Sequence, residues 1–540
     1  MNTQRQNRYT FIALSVAASL LLASQSLFAQ TFANATSSVT GYSKGTIEPK
    51  QACADLTKLK LPELVSITAQ MIAADGKVPA HCRINGVLDP EIAFQVNLPA
   101  GWNNRFYMVG NGGHAGQPTD DPFNVPLRND ALTQHFVMAT TNTGHDAVKE
   151  PGATFVLSNP QKAIDYAYRA VHLTAVTAKE IANQYYGHPV AYSYWNSCSN
   201  GGRQGLLEAQ RYPNDFDGIV AVAPWVSQTG FTIGGVWNQR ALTETPVSAG
   251  KLALLATAVM KKCDAVDGLV DGLIDDPRAC SFNVAKDVHS CPAGKDDDTC
   301  LTAAQATAIQ KIYQGPRDSK GKQIFPGFML GSEALQTGPN GSASGWMGLI
   351  APASATAKPA DFNLAEGTMR YLVFQPPRPD YDYRQFDFDR DPQLLDRWSR
   401  LVDATDINLR EFHKRGGKLI IIYGWADTIL QPMMGVNYYE QATAANGPDA
   451  AGFMKLFMVP GMAHCANGVG PDQHDAVTAV IDWVEANQAP QLLVAKKFLN
   501  GATIRSRPLC PYPQVARFQG KGSIDDAANF KCVAAPKATR

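Results

Sequence analysis

Ser197-Cys198-Ser199-Asn200-Gly201-Gly202 follows a β-like run, Val190 to Asn196, and opens a helix-like run, Gly201 to Tyr212. A serine at such a strand-to-helix turn is a nucleophile elbow: the tight turn lifts its hydroxyl above the sheet edge and sets the next residue's N–H beside a developing oxyanion. Small residues are needed because strand and helix nearly touch there. The usual pattern is G-x-S-x-G, and here Ser197 replaces the first glycine. Serine and glycine also cluster in ordinary βα loops, so the reading depends on what surrounds the turn.

Working outward, strand-like runs appear at Ile92 to Leu98, Arg105 to Val109 and Phe136 to Thr141, while residues up to about Gly86 read as loop-rich. Gln161 to Tyr186 carries apolar residues at helical spacing, and Gly218 to Pro224 is an apolar strand. Strands alternating with helices predict a parallel sheet covered on both faces. From about Trp225 to Asp406 the alternation stops, in a segment rich in Gly, Pro, Ser and aromatic residues. It resumes with the strands Lys418 to Gly424 and Phe453 to Val459 and a helix from Ala476 to Gln488. The expected architecture is therefore α/β, an α/β-hydrolase fold with a large inserted lid domain. The catalytic domain would span 36–225 and 407–540, the lid 226–406, and a signal peptide 1–35.

An elbow serine needs a base and an orienting acid, in the chain order Ser, acid, His, on loops after later strands. Asp427 follows one such strand and His464 the other. His464 would take the Ser199 proton during attack on an acyl carbon and return it to the leaving alcohol. Asp427 would hold the imidazole tautomer and stabilise its charged form. Each has an ordinary alternative, Asp427 as a turn cap before Thr428 and His464 as a surface histidine, but three hits in one order on three strand ends reinforce one another. The run Gly110-Asn111-Gly112-Gly113-His114-Ala115-Gly116 lacks the Gly-Lys-Ser/Thr of a phosphate loop. Placed after an early strand, it would offer the Gly113 N–H to the oxyanion together with that of Asn200.

The chain has 540 residues, with Lys+Arg and Asp+Glu at 48 each. No net basic field exists to draw nucleic acid or an anionic membrane. Arg5 and Arg8 precede an apolar run, Phe11 to Ala23, the pattern of a secretory signal peptide, with cleavage after Ala29 or Ala35. Ten cysteines fit an exported, disulfide-bonded protein, secreted or periplasmic, and none forms Cys-x-x-Cys. Cys198 directly precedes the serine and Cys465 directly follows the histidine. A bond between them would hold nucleophile and base side by side; the alternative is that each pairs elsewhere.

In Cys263-Asp264-Ala265-Val266-Asp267-Gly268-Leu269-Val270-Asp271-Gly272-Leu273, three carboxylates and two glycines share a tight loop. Oxygen ligation of a hard cation, Ca²⁺, fits this composition, with the Leu269 and Leu273 carbonyls completing the shell. The spacing is not that of an EF-hand, and a solvated acidic turn is the alternative.

These segments resemble the tannase/feruloyl esterase family. The marks are Cys198-Ser199-x-Gly201-Gly202-Arg203, Phe216-Asp217-Gly218-Ile219-Val220-Ala221, the Cys263 to Asp271 loop, Gly424-x-x-Asp427, Val459-Pro460-Gly461-Met462-x-His464-Cys465 and Arg507-Pro508-Leu509-Cys510-Pro511-Tyr512-Pro513. The resemblance implies a secreted serine carboxylic ester hydrolase with a lid holding structural calcium on Asp264, Asp267, Leu269, Asp271 and Leu273. It implies the disulfides Cys53–Cys82, Cys198–Cys465, Cys263–Cys280, Cys291–Cys300 and Cys510–Cys532. Trp346 matches a pocket tryptophan of the family. Tyr423 stands where the family's terephthalate-monoester hydrolase has a pocket histidine. The Phe362 to Arg370 region lacks the arginine and phenylalanine that hydrolase uses on its aromatic carboxylate. The expected substrate is a small-molecule ester of a phenolic or hydroxycinnamic acid. A terephthalate monoester is the alternative, as are an acyltransferase on the same acyl-enzyme and a calcium-stabilised binding protein with a vestigial triad.

Overall fold

The computed structural model describes residues 31–334, 336–337, 343–354 and 357–535. The apolar run of the expected signal peptide lies outside them. A nine-stranded sheet organises the chain, in the order β1-β2-β3-β5-β4-β6-β7-β10-β11. Its strands are β1 (Leu64–Ile72), β2 (His81–Leu88), β3 (Ile92–Pro99), β4 (Arg105–Met108), β5 (Val137–Thr141), β6 (Tyr192–Cys198), β7 (Gly218–Val222), β10 (Lys418–Gly424) and β11 (Met454–Val459). A two-stranded ribbon, β8 (Gln336–Thr337) and β9 (Ala343–Ser344), lies in the inserted segment, and β12 to β15 form two hairpins between Leu493 and Ala534.

The sheet is parallel only from β5 to β11; β1, β2, β3 and β5 pair antiparallel. Two corrections to the sequence reading follow. The loop-rich stretch before Gly86 also holds β1 and most of β2, strands that the sequence reading did not place. β1 is an edge strand with no clean alternation of buried and exposed residues, so it carries no period-two signal. The central strands behave as expected. Lys418-Leu-Ile-Ile-Ile-Tyr-Gly424 is buried at every position after the first, because helices cover both faces of this part of the sheet.

β7 and β10 are parallel neighbours, pairing Gly218 with Lys418 through Val222 with Ile422. The segment between them therefore leaves the sheet and returns to the adjacent position. It builds a core of its own from Leu255, Val259, Ile309, Ile312, Phe328, Trp346 and Ile350. The main core, including Trp195, Leu206, Ile219, Ile421 and Phe457, lies between sheet and helices. All five disulfides close as the resemblance implied. No helix among the described residues is long and apolar enough to cross a membrane.

Candidate active site

Ser199 directly follows β6 with φ 63° and ψ −126°, at the position preceding the helix Asn200–Arg211. Such a backbone is strained for a residue with a Cβ, costing on the order of 1–3 kcal/mol. The surrounding structure holds it there: Ser199 N–H donates to Val222 O at 3.0 Å, and Ser199 O accepts from Trp225 N at 3.0 Å and Arg203 N at 3.1 Å. The two glycines after it are sterically required. A Cβ on Gly201 would sit 2.0 Å from Ser197 Oγ, and one on Gly202 would sit 2.8 Å from the Pro224 Cα and Val222 O. Asn200 N–H is the first of its helix and has no acceptor within it, so it is available to an external anion.

Asp427 and His464 come from the loops after β10 and β11. His464 Nδ1 lies 2.9 Å from Asp427 Oδ2, the carboxylate being fully buried. Its other oxygen accepts from Ile429 N at 2.9 Å and Leu430 N at 2.8 Å, so the acid is fixed before the histidine reaches it. Cys198 and Cys465 form a disulfide with a Cα–Cα distance of 5.8 Å across a sequence separation of 267. Ser199 and His464 are thus tethered through their immediate neighbours.

Both residues face one cavity of about 440 Å³, lined also by Gly110 to Gly113, Leu127, Trp225, Leu364, Ile429 and Leu430. Its walls are largely apolar. Leu364 comes from the inserted segment, so that segment closes one side. The ionisable groups among the lining residues are Asp121 and His464, with no lysine or arginine. Gly113 takes φ +50° in this wall, and its carbonyl accepts from Tyr166 Oη at 3.1 Å.

The structure brings together Ser199, Asp427, His464, Gly113 and Asn200, and separates the two expected substrate contacts from them. Trp346 is fully buried in the core of the insertion, where Nε1 donates to Ser332 Oγ at 2.9 Å. Tyr423 is a fully buried residue of β10, an interior strand, its hydroxyl donating to Pro224 O at 3.3 Å. Neither lines the cavity. Leu364, Trp225, Ile429 and Leu430 do line it, and nothing in their local sequence marks them, because pocket walls are assembled from segments remote in the chain.

The expected cation loop folds as a tight turn. Gly268 and Gly272 adopt φ 92° and 79°, Asp264 Oδ1 accepts from Asp271 N at 3.2 Å and Gly272 N at 3.1 Å, and Asp267 Oδ1 accepts from Leu269 N at 2.9 Å. Asp275, absent from the sequence reading, lies beside Asp267; burial and then the Asp267 charge push its carboxyl well above the usual range. Asp271 is paired with Arg507, and the Asp267 carbonyl with Arg517.

The sequence profile described as "Tannase and feruloyl esterase" matches residues 76–533. The chain belongs to the tannase and feruloyl esterase family. An esterase of Xanthomonas campestris is 34% identical to it, over 91% of this chain and 93% of that one. The mono(2-hydroxyethyl) terephthalate hydrolase of Piscinibacter sakaiensis is 32% identical over 87% of each chain. Among solved structures, feruloyl esterase B from Aspergillus oryzae superposes with a TM-score of 0.75 at 26% identity, covering 89% of this chain and all of its own. The elbow and the apolar cavity therefore belong to a carboxylic ester hydrolase with an α/β-hydrolase-type fold. The family's substrates are small-molecule esters, and the five disulfides are consistent with an oxidising compartment.

Proposed function

We propose that this esterase is exported behind a cleaved signal peptide and hydrolyses esters of phenolic or hydroxycinnamic acids through a Ser199 acyl-enzyme. The observation that carries the mechanism is the convergence of a strained Ser199 and an Asp427-bonded His464 on one apolar cavity. Ser199 Oγ attacks the acyl carbon as its proton passes to His464 Nε2. The Gly113 and Asn200 N–H groups bind the carbonyl oxygen as it becomes negative, a contribution of about 10²–10³ in rate per donor. His464 then protonates the departing alkoxide as the ester C–O bond breaks. Water, deprotonated by the same imidazole, attacks the acyl-serine and releases the acid.

The cavity supports a neutral aromatic acyl group over a terephthalate monoester. A substrate carboxylate would meet no lysine or arginine there, and Asp121 carries charge of the same sign. The inserted segment acts as a lid through Leu364. The test is turnover of matched galloyl, feruloyl, benzoyl and terephthaloyl esters by the parent protein and by Ser199→Ala, His464→Ala and Asp427→Asn. The neutral phenolic esters should be preferred. Each variant should lose at least ~10³ of the activity, with double variants little worse than single ones, because the residues act as a unit. Near-normal turnover by Ser199→Ala refutes the mechanism; preference for the terephthaloyl ester refutes the substrate class.

The same reading includes a structural Ca²⁺ held by Asp264, Asp267, Asp271 and the carbonyls of Leu269 and Leu273. Its support is the chemistry of the loop, which offers several oxygen donors; burial raises the Asp267 carboxyl, and burial and then the Asp267 charge raise that of Asp275. A hard cation relieves that repulsion and supplies cross-linking charge to the turn.

A further inference from the structure

Arg203 is fully buried, and its guanidinium is spent on four neighbours. Nε donates to Asn200 Oδ1 at 2.7 Å, Nη1 to Ala167 O at 2.8 Å and Val402 O at 2.9 Å, and Nη2 to Tyr166 O at 3.3 Å. Its plane lies 5.1 Å from the Tyr166 ring centroid. No carboxylate bonds to it, an expensive way to bury a charge unless the geometry it imposes is needed.

Tyr166 completes the arrangement. It sits in a π-helical turn, Asp165–Arg169, inside the long helical stretch ending at Tyr186. Such turns re-aim side chains and recur at functional sites. The Tyr166 hydroxyl lies 3.1 Å from Gly113 O and 3.4 Å from Asn200 Oδ1, so it touches both residues that offer an N–H to the oxyanion. It accepts from Gln228 Nε2 at 3.0 Å, and Gln228 Oε1 accepts from Trp398 Nε1 at 2.8 Å. Gln228 and Trp398 belong to the inserted segment, as does Val402. A directed chain of donors therefore runs from the insertion through Gln228 and Tyr166 to the Gly113 carbonyl, while Arg203 ties Asn200 to the end of the same insertion.

We propose that Tyr166 and Arg203 are positioning residues that set the oxyanion hole, acting through Gly113 and Asn200 and making its geometry depend on the docked insertion. They act on the transition state, not on substrate binding, because neither lines the cavity and the N–H groups they orient bind an oxygen only as it becomes charged. The inference rests on the proposed serine mechanism.

The test is Tyr166→Phe, which removes one hydroxyl from a packed ring, assayed with a neutral aromatic ester well below its melting temperature. Affinity for an arylboronic acid, which forms a tetrahedral anionic adduct with serine, is measured beside it. The expected result is a fall in kcat of about 10-fold with KM unchanged, matched by a similar loss of boronate affinity, since small displacements of an oxyanion donor are costly. Arg203→Lys keeps the charge but cannot reproduce the fork of contacts, and should move the same two readouts. A folded Tyr166→Phe with unchanged kcat and boronate affinity overturns the proposal. So does a loss confined to KM with boronate affinity intact. If Arg203→Lys does not fold, Tyr166→Phe decides alone. Turnover surviving in Ser199→Ala would instead sink the serine mechanism; an inactive Ser199→Ala beside an unaffected Tyr166→Phe would sink only the positioning role.

Discussion

Ser199 and His464 are set by covalent and steric constraints in their adjacent residues, and that is where substitutions should act most sharply. The Cys198–Cys465 bond joins the end of β6 to the loop after β11, which sheet packing alone places to within about an ångström. Replacing both cysteines by Ala should lower kcat by at least ~10-fold, because proton transfer needs a hydrogen bond of roughly 2.6–3.2 Å. The accompanying stability loss should be a few kcal/mol at most, native packing and residual unfolded structure diluting the ~5 kcal/mol expected from loop entropy alone. Peptide mapping of the unreduced parent and steady-state kinetics of the double variant check this; a double variant with parental kcat would show that packing suffices. Ser199, Asp427 and His464 were legible as a group because strand ends carry them in a fixed order. Trp346 and Tyr423 were not placed correctly, because a matching residue type does not reveal which way a buried side chain faces.

At the scale of elements, the insertion is held together by close helix packing. Within it, the helix Ala360–Gly367 presses on Gln228–Glu244, where a Cβ on Gly235 would meet Ala365 Cβ at 2.6 Å. Asp361 is buried in this contact, accepting from Asn238 Nδ2 at 3.0 Å. Burial pushes its carboxyl from the ordinary 3.8 up to about 7. The folded state thus binds this proton more tightly than the unfolded state. The resulting stability is complete below pH ~4 and is lost as pH rises through about 7. Asp361→Asn should melt like the parent near pH ~3.5 and several degrees higher at pH 8, with a flatter pH profile. Equal melting temperatures at pH 8 would show that the carboxylate is compensated there. The Cys263–Cys280 loop gives a second expectation at this scale. Chelation should lower the melting temperature more than room-temperature activity, and Asp264→Ala should reproduce the chelator's effect. A melting temperature indifferent to chelator counts against the cation.

Across the whole molecule, the first described residues are structural. Phe32 packs 5.4 Å from Tyr107 and 5.3 Å from Phe136 between ring centroids, and the Phe32 and Asn34 N–H groups donate to Asp475 at 3.2 and 2.7 Å. Asp475 in turn caps the helix Ala476–Ala486, so this segment ties the start of the fold to its last main helix. Processing after residue 35 would remove a buried ring and both of these bonds. N-terminal sequencing of the exported protein should therefore begin at Gln30, after cleavage behind Ala29. A mature chain starting at Thr36 would mean that Phe32 is dispensable.

The sequence by itself determined the parallel half of the sheet, the order of Ser199, Asp427 and His464 on three strand ends, the interruption of the alternation between β7 and β10 and the family. Each is written in short-range signals: buried parallel strands are apolar runs, the elbow needs small residues beside its serine, and an insertion interrupts an alternation. Tertiary structure alone decided the antiparallel half of the sheet, the cavity wall and the supports of Gly113 and Asn200. β1 is an edge strand without periodicity; Leu364, Trp225 and Ile429 meet only when distant segments dock. Tyr166, Arg203, Gln228 and Trp398 are ordinary residues in sequence, and their hydrogen bonds exist only because the insertion folds back over the elbow. Local preferences are set within a few residues of chain, whereas pocket shape and buried polar partnerships are properties of contacts between segments remote in sequence.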